Sequence, residues 1–410
     1  VFSNYTLKIK IKPTFQDKII LETLANEHRL LYNYLLQKLK EKSYSYKELH
    51  ILSRDFRNHN NLTISAKSAQ NTCIKLIENI KSFYALYKKD KKARFPYKFK
   101  SWKYFTSFMY DIGGYTYDII DNTLILSITR KRMNGNYTKL EFKLPDICKE
   151  IDVAKTITFS RNDNNEYFVS IVYSKANQVV DKADGLASID LGYTNLVTMY
   201  SNKMENVQIV NERQSLLWTR INKVRSERDG RFKRKSRKYK KISKTLSRLN
   251  KRLSDKSKEF QNQVCKYVGD SCIKNKVSTL YVGDIKVKKI ENKKNRKIGG
   301  ESKSTVSLGR FKTLLQRKAI KLGIEFVSVN EAYTSQTNCL TNEIMYSSDL
   351  NIRQHELKPG LFIDRDLNGA INIARKGRGK WYTHDSELDL SLNRMKFNWN
   401  MADFDKEEIL

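Results

Sequence analysis

Between Tyr5 and Lys12 apolar and basic residues alternate, with Leu7, Ile9 and Ile11 on one face and Lys8, Lys10 and Lys12 on the other. A period of two predicts a strand with one buried face, and Pro13, which has no N–H to donate, ends it. From Phe15 to about Lys42 the apolar residues Ile19, Ile20, Leu24, Leu31 and Leu35 recur at helical spacing, and a second helix is predicted over about Ala66–Tyr87. Leu124–Thr129, Lys139–Leu144, Thr156–Ser160 and Tyr167–Tyr173 read as successive antiparallel strands. With the opening strand they predict a small β-barrel over residues 1–180, carrying an inserted helical region at about 15–110. The polar stretch Ser174–Asp184 marks a domain boundary.

From Leu186 the pattern changes. A short apolar strand ends at Asp190, and Leu196–Tyr200 and Glu205–Val210 continue it as an antiparallel meander. A long helix is predicted next, with Leu246, Leu249, Leu253, Phe260 and Val264 as its apolar stripe. A strand Ser278–Val282, a basic loop Lys286–Lys303, a helix Ser304–Leu322, a strand Ile324–Val329 and a helix beginning near Asp366 complete the series. Three strands followed by helix, strand, helix, strand and helix predict an RNase H-like α/β domain over 185–380. The fold class expected is therefore α+β and multidomain. Residues 381–410, with Asp403, Asp405, Glu407 and Glu408, read as an acidic C-terminal tail.

Charge changes this picture. Among 410 residues, 78 Lys and Arg stand against 44 Asp and Glu, a net charge of +34. Such a chain repels itself when alone, so a polyanionic partner is expected. The cations are concentrated. Residues 231–258 hold 14 Lys and Arg, among them Lys233, Arg234, Lys235, Arg237, Lys238, Lys240 and Lys241, and a single acid, Asp255. In Lys88–Tyr110, Arg94, Lys98 and Lys100 interleave with Phe95, Tyr97, Phe99, Trp102 and Tyr104. That arrangement suits phosphate contact combined with base stacking, and equally strands with a basic outer face. The five cysteines form no CxxC pair, which argues against a disulfide framework and for a reducing compartment. No apolar run of about 18 residues predicts a membrane span. The chain starts at Val1, read as loss of an initiator Met. These features lead to the expectation of an intracellular protein, cytoplasmic or nucleoid-associated in a bacterium and nuclear in a eukaryote.

Two segments carry candidate chemistry. Leu186-Ala187-Ser188-Ile189-Asp190-Leu191-Gly192 delivers a carboxylate at the end of a strand, and Ile363-Asp364-Arg365-Asp366-Leu367-Asn368-Gly369-Ala370-Ile371-Asn372-Ile373 delivers another at the start of a helix. Each alone reads equally well as a cap or a turn. Together, in a chain this basic, they suggest a divalent-metal phosphodiesterase. No Ser or Cys nucleophile motif and no triad-like grouping of His28, His50, His59 and His384 competes with them.

The order of Leu186–Gly192, then Leu280-Tyr281-Val282-Gly283-Asp284, then Glu331-Ala332-Tyr333-Thr334-Ser335-Gln336-Thr337, then Asp364–Ile373 resembles TnpB, the RNA-guided nucleases of bacterial insertion sequences related to Fanzor proteins and type V CRISPR effectors. Many members of that family carry Glu-Asp where this chain has Gly283-Asp284. Glycine offers no ligand, and Asp284 should point to the opposite sheet face. Two readings follow: a dead nuclease, or an acid relocated to Glu331. The strand Ile324–Val329 should lie beside Ser278–Val282, and side chains leaving adjacent strands emerge about 4.8 Å apart, an offset that a Glu can span. The resemblance also implies two cysteine pairs for zinc. Here only Cys339 remains, with His355 sixteen residues later, so no structural zinc is expected, and the stretch 338–362 is read as a degenerate zinc-ribbon insertion folding as a hairpin or loop.

The resemblance implies an RNA-guided, metal-dependent DNA endonuclease. In it Asp190, Glu331 and Asp366 hold Mg2+ or Mn2+ in a RuvC-like site. A transposon-derived guide RNA and a double-stranded DNA target with a short flanking motif are the partners, and the working form is a monomeric ribonucleoprotein. The alternatives are a nuclease-dead RNA-guided DNA-binding repressor and a strand-joining transposase.

Overall fold

The computed structural model describes residues 2–406 apart from 42, 96–97, 112–114, 119–122, 128–138, 147, 149–150, 152–153, 177–183, 212–214, 285–306, 346–352, 380–387, 400 and 402. The chain divides into two compact units, Val1–Ala176 and Asn177–Leu410. The alternating opening segment is strand β1 (Phe2–Ile11), with Ile9 and Ile11 buried and Lys8 and Lys10 exposed. Helices α1 (Phe15–Glu41), α2 (Tyr46–His59) and α3 (Ala66–Lys89) follow. Then come strands β2 (Phe108–Asp111), β3 (Tyr115–Asp118), β4 (Thr123–Ser127), β5 (Lys139–Lys143), β6 (Ala154–Arg161) and β7 (Tyr167–Ala176).

The strands of this unit form two sheets, in the orders β1-β7-β6-β2 and β3-β4-β5. Both contribute to one apolar core shared with α1 and α3, where the rings of Phe142 and Phe159 lie 5.9 Å apart. Among the described residues no strand pairing joins the sheets into a closed barrel. Helix α2 has no counterpart among the predicted elements, although Leu49, Leu52 and Phe56 recur at helical spacing and pack on this core. Its start is set by a capping box, in which Ser45 accepts from the Glu48 N–H and the Glu48 carboxylate accepts from the Ser45 N–H.

His28 of α1 is buried in this core. Its ring stacks on Phe108 and its two nitrogens meet the hydroxyls of Thr72 and Ser68. Burial, aided by the ammonium groups of Lys75 and Lys100, holds the imidazole down to about 3. An unfolded histidine takes up its proton near 6.5. Below that pH the unfolded state therefore binds more protons, and the stability contributed by the neutral ring is lost as the pH falls toward 3. Acidification should lower stability with a slope of up to about 1.4 kcal/mol per pH unit from this residue, and His28→Gln should flatten it. Thermal melts between pH 7.5 and 4.5 check this; equal slopes in both chains would remove His28 as the cause.

In the second unit, β8 (Gly185–Leu191), β9 (Asn195–Ser201) and β10 (Val207–Val210) form the meander. Helices α4 (Ser215–Arg231) and α5 (Arg237–Lys274), strand β11 (Val277–Gly283), helix α6 (Leu308–Lys321) and strand β12 (Glu325–Val329) come next. A hairpin of β13 (Gln354–Lys358) and β14 (Leu361–Asp364) runs directly into helix α7 (Arg365–Gly377), and β15 (Asn393–Asn398) and β16 (Asp403–Lys406) close the unit. The sheet order is β12-β11-β8-β9-β10-β15-β16, with β11 parallel to both β8 and β12.

Two expectations change here. The single long helix is broken at Phe232–Ser236, where Lys235 adopts φ +71° and Ser236 caps α5 by accepting from the Tyr239 N–H. Lys233, Arg234 and Lys235 thus sit in a turn rather than on a helix. Residues 393–398 and 403–406, read as part of an acidic tail, add two strands to the sheet. There Phe397, Trp399 and Phe404 form a ring cluster that meets Phe260 and Tyr267 of α5. Glu407, Glu408 and the basic loop 286–303 lie outside the described residues. Among those described, no helix is long and apolar enough to cross a membrane.

Candidate active site

Strand alternation decides which side chains of β8 meet which helix. Ala187, Ile189 and Leu191 join the core containing Phe260 and Val264 of α5 and Phe311 and Leu315 of α6. Leu186, Ser188 and Asp190 face α7. Leu186 packs with Leu367 and Ala370, the Ser188 hydroxyl donates to the Ala370 carbonyl at 2.6 Å, and Asp190 reaches Gly369. A Cβ at position 369 would stand 2.8 Å from Asp190 Oδ2, so a glycine is what lets the helix approach this carboxyl.

Strand β11 repeats the alternation. Leu280 and Val282 lie in the α5–α6 core, while Tyr281 packs with the α7 cluster, so Gly283 follows on the α7 face. It lies one step beyond the Val282–Ile189 pair and hence beside Asp190. A Cβ on Gly283 would collide with Oε1, Cδ and Cγ of Glu331. The Glu331 carboxyl stands in the space that a side chain on the strand would occupy. Asp284 turns to the other face, where Lys312 Nζ of α6 donates to its Oδ1 at 2.8 Å and to Ser328 Oγ at 2.7 Å.

The third carboxyl comes from the start of α7. Asp364 is the N-cap, its Oδ1 accepting from the N–H groups of Asp366 and Leu367 at 2.9 and 3.2 Å. Asp366, in the first turn, accepts from Asn195 Nδ2 at 2.9 Å, and Arg353 Nη1 lies 3.7 Å from the same oxygen. The sequence offers two acids at the start of this helix, of which Asp366 is the expected site residue. The structure separates them into a cap and a carboxyl facing β9.

The electrostatics tie the three elements together. Burial pushes the Asp190 carboxyl well above the usual range, and the negative charges of Glu331 and Asp366 add to it. Burial pushes Glu331 up to about 7 although Lys312 pulls the other way, and its Oε1 has no hydrogen-bond partner among the described residues. Asp364 is raised by burial and by Asp366. Among the described residues no three His, Cys, Asp or Glu side chains stand close enough to hold one ion as they are placed. The carboxyls share one electrostatic environment without converging on a point. An all-oxygen donor set with an unsatisfied buried carboxylate oxygen fits a hard divalent cation.

Residues that sequence reading missed include Asn195, Lys312, Arg353, and Asn368 and Asn372. The last two had a readable signal: polar residues four apart on the buried side of an amphipathic helix. Cys339 is buried in the apolar cluster with Leu357 and Ile363, and burial pushes its thiol up to about 11.

Among the expected nucleic-acid contacts, Arg94 and Lys98 are exposed on the segment after α3, and Tyr97 lies outside the described residues. Lys100 is instead turned into its unit. Its ammonium sits 3.7 Å from the centre of the Tyr32 ring, Asn33 bonds both its N–H and its carbonyl, and burial lowers it to about 8. Lys233, Arg234, Lys235, Arg237, Lys238, Lys240 and Lys241 are all exposed. Below them Leu246, Leu249 and Leu253 pack on Ile221 of α4 as a small separate core.

Comparison with known proteins adds what the chain is similar to. Residues 170–288 match the OrfB_IS605 family, described as a probable transposase, and residues 309–373 match the Cas12f1-like TNB domain. TnpB-like protein L770 of Acanthamoeba polyphaga mimivirus is 26% identical over 240 residues, 57% of this chain and 45% of that protein. A putative RNA-guided DNA endonuclease of Streptomyces pristinaespiralis is 25% identical over 225 residues, 54% of this chain and 52% of that one. The chain thus spans about half the length of the curated relatives it matches. In fold it is similar to the protein of a Cas12f1–sgRNA–target DNA complex, with a TM-score of 0.62 at 14% identity, covering 91% of this chain and 99% of that one. The chain is thus similar to TnpB-like proteins over about half of its length, with an OrfB_IS605 match followed by a Cas12f1-like TNB match, and its α+β fold is like that of Cas12f1.

Proposed function

We propose that this chain is an RNA-guided DNA endonuclease whose second unit is an RNase H-like (RuvC-like) nuclease domain, with Asp190, Glu331 and Asp366 as its metal-holding carboxylates. The observation that carries this reading is the placement of Glu331. Its carboxyl fills the volume in front of Gly283, beside Asp190, so the loss of a strand carboxylate is matched by the arrival of a loop carboxylate in the same space. A nuclease drifting after loss of its acid has no reason to bury a glutamate there with an unsatisfied oxygen. The strand order, with β8 central, a meander on one side and two parallel strands on the other, supports the RNase H-like assignment. The two sheets of the first unit support a small, open β-barrel bearing α1–α3.

Mg2+ or Mn2+ ions on these carboxylates would supply an activated water and neutralise charge on the leaving oxygen. The chain's own residues do the rest. Gly369 lets α7 close on Asp190, Asn195 orients Asp366, and Lys312 holds Asp284 away from the site. The exposed cations of the α4–α5 turn and of Arg94 and Lys98 would contact a guide RNA and its pairing with double-stranded target DNA. Base pairing would supply the sequence choice, and a short flanking DNA motif would be read by the protein. The working form would be a monomeric ribonucleoprotein.

The test is to sequence RNA that co-purifies with the protein, then to assay divalent-dependent cleavage of a matching DNA library. Defined RNA and cleavage by the native chain are expected, with a loss of about 10²–10³-fold in Glu331→Ala. Guided binding with no cutting by either chain would replace this reading with an RNA-guided repressor. Absence of any defined RNA would remove the guide.

A further inference from the structure

Glu331 lies just past β12, at the head of a loop rather than on a sheet, yet its carboxyl must be held as firmly as one on a strand. What fixes that loop is the buried stripe of α7. Asn372 Nδ2 donates to the carbonyls of Thr334 and Thr337 at 2.9 and 2.6 Å, and Asn368 Nδ2 donates to the Thr337 carbonyl at 2.8 Å. Asn368 Oδ1 accepts from the Cys339 N–H at 3.0 Å. One turn on, the Arg375 guanidinium donates to the Cys339 carbonyl, and Lys376 Nζ donates to the Ala332 carbonyl at 3.0 Å. Within the loop the Thr334 N–H and hydroxyl both donate to the Glu331 carbonyl, at 3.2 and 2.9 Å. A continuous chain of bonds thus runs from α7 through Thr334 to Glu331.

We propose that Asn368 and Asn372 are positioning residues that set the Glu331 carboxyl over Gly283, making α7 the template for the acid delivered by the loop as well as the bearer of Asp366. The inference rests on the reading of Glu331 given above. Both asparagines are almost fully buried, at 0% and 1% exposure, and Asn372 uses only its donor side, since its Oδ1 has no partner among the described residues. Replacing that amide by a carboxylate of the same shape sets an acceptor against two carbonyls and leaves no cavity. Asn368 spends one donor and one acceptor, so its carboxylate variant keeps the bond from Cys339 and loses only the one to Thr337.

The experiment compares Asn372→Asp, Asn368→Asp and Glu331→Ala with the native protein, each purified with its bound RNA. Target binding, cleavage rate and Mn2+ uptake, read from the free-ion EPR signal, are measured on all four. Both Asp variants should bind target as the native protein does. They should cleave about 10–100-fold more slowly, Asn372→Asp the slower of the two, and Asn372→Asp should lose the same Mn2+ uptake that Glu331→Ala loses. Native cleavage in both Asp variants overturns the proposal while leaving Glu331 in place. Slow cleavage with native Mn2+ uptake also overturns it, because the asparagines then only support the fold. Native cleavage by Glu331→Ala instead overturns the reading of Glu331 itself, whatever the Asp variants do.

Discussion

Gly283→Glu is expected to inactivate the native chain, and adding Glu331→Ala to that variant is expected to bring cleavage back. The first effect is steric and electrostatic. Even a Cβ at position 283 has no room while Glu331 is in place, and the added carboxylate would lie against Glu331 and Asp190. Overpacking of this kind costs about 1–3 kcal/mol. Displacing Glu331, proposed above to hold metal, should slow cleavage by about 10²–10³-fold. The second effect follows from register. Position 283 stands beside Asp190 on the face that meets α7, so a glutamate there reaches the volume that Glu331→Ala vacates. The pair would move the acid from loop to strand without changing the site's composition. Rates for the two singles and the double, set against the native chain, decide the matter. A double variant no faster than either single would mean that the two positions do not share one role.

Asp190→Asn should abolish cleavage and stabilise the protein when no divalent ion is present. Burial and the charges of Glu331 and Asp366 push the Asp190 carboxyl upward, so the folded chain keeps its proton to a higher pH than the unfolded chain does. The native protein therefore loses stability as pH rises above about 4, through the folded value. An asparagine of the same shape has no charge to repel and escapes that loss. Its advantage should grow with pH, raising the melting temperature by about 2–4 °C per kcal/mol for a unit of this size. Mn2+ should reverse the ranking, since an ion that binds the folded native site raises its stability and leaves the variant largely unmoved. Melts at pH 6 and pH 8, with and without Mn2+, provide the measurement. A variant that melts below the native protein without ion would show that the carboxyls are not in conflict.

Much of the framework was legible because it follows local periodicity. The alternation of Leu7, Ile9 and Ile11 marked β1, and the meander and the strands flanking α6 followed the same rule. Elements set by a few polar atoms were harder to read. Helix α2 is short, its stripe of Leu49, Leu52 and Phe56 is set among polar residues and its start rests on the Ser45–Glu48 box, while the break before α5 rests on Lys235 at positive φ and the Ser236 cap. Residues 393–406 were masked by their acids, although Met395 and Phe397 alternate inward from Lys396. In the candidate site, sequence identified three acids on three elements. That Glu331 and a side chain on Gly283 exclude one another depends on tertiary packing, and no pattern of spacing contains it. The asparagines of α7 left only their spacing on a buried helix face as a signal, because the carbonyls they bond leave no trace in the sequence.

Among the described residues strand β1 lies at the edge of its sheet and is paired from Phe2↔Ala176 to Ile11↔Tyr167 with β7 alone. Three described helices and five described strands separate the two in the chain. During synthesis the first strand leaves the ribosome long before its partner exists, and for that interval it is a ready template for a neighbouring nascent chain. Lys8 and Lys10 on its open face act as gatekeepers through that wait, since stacked copies would bring like charges together. Expression of any fragment ending before Tyr167 would prolong the wait indefinitely, and such fragments should collect in inclusion bodies.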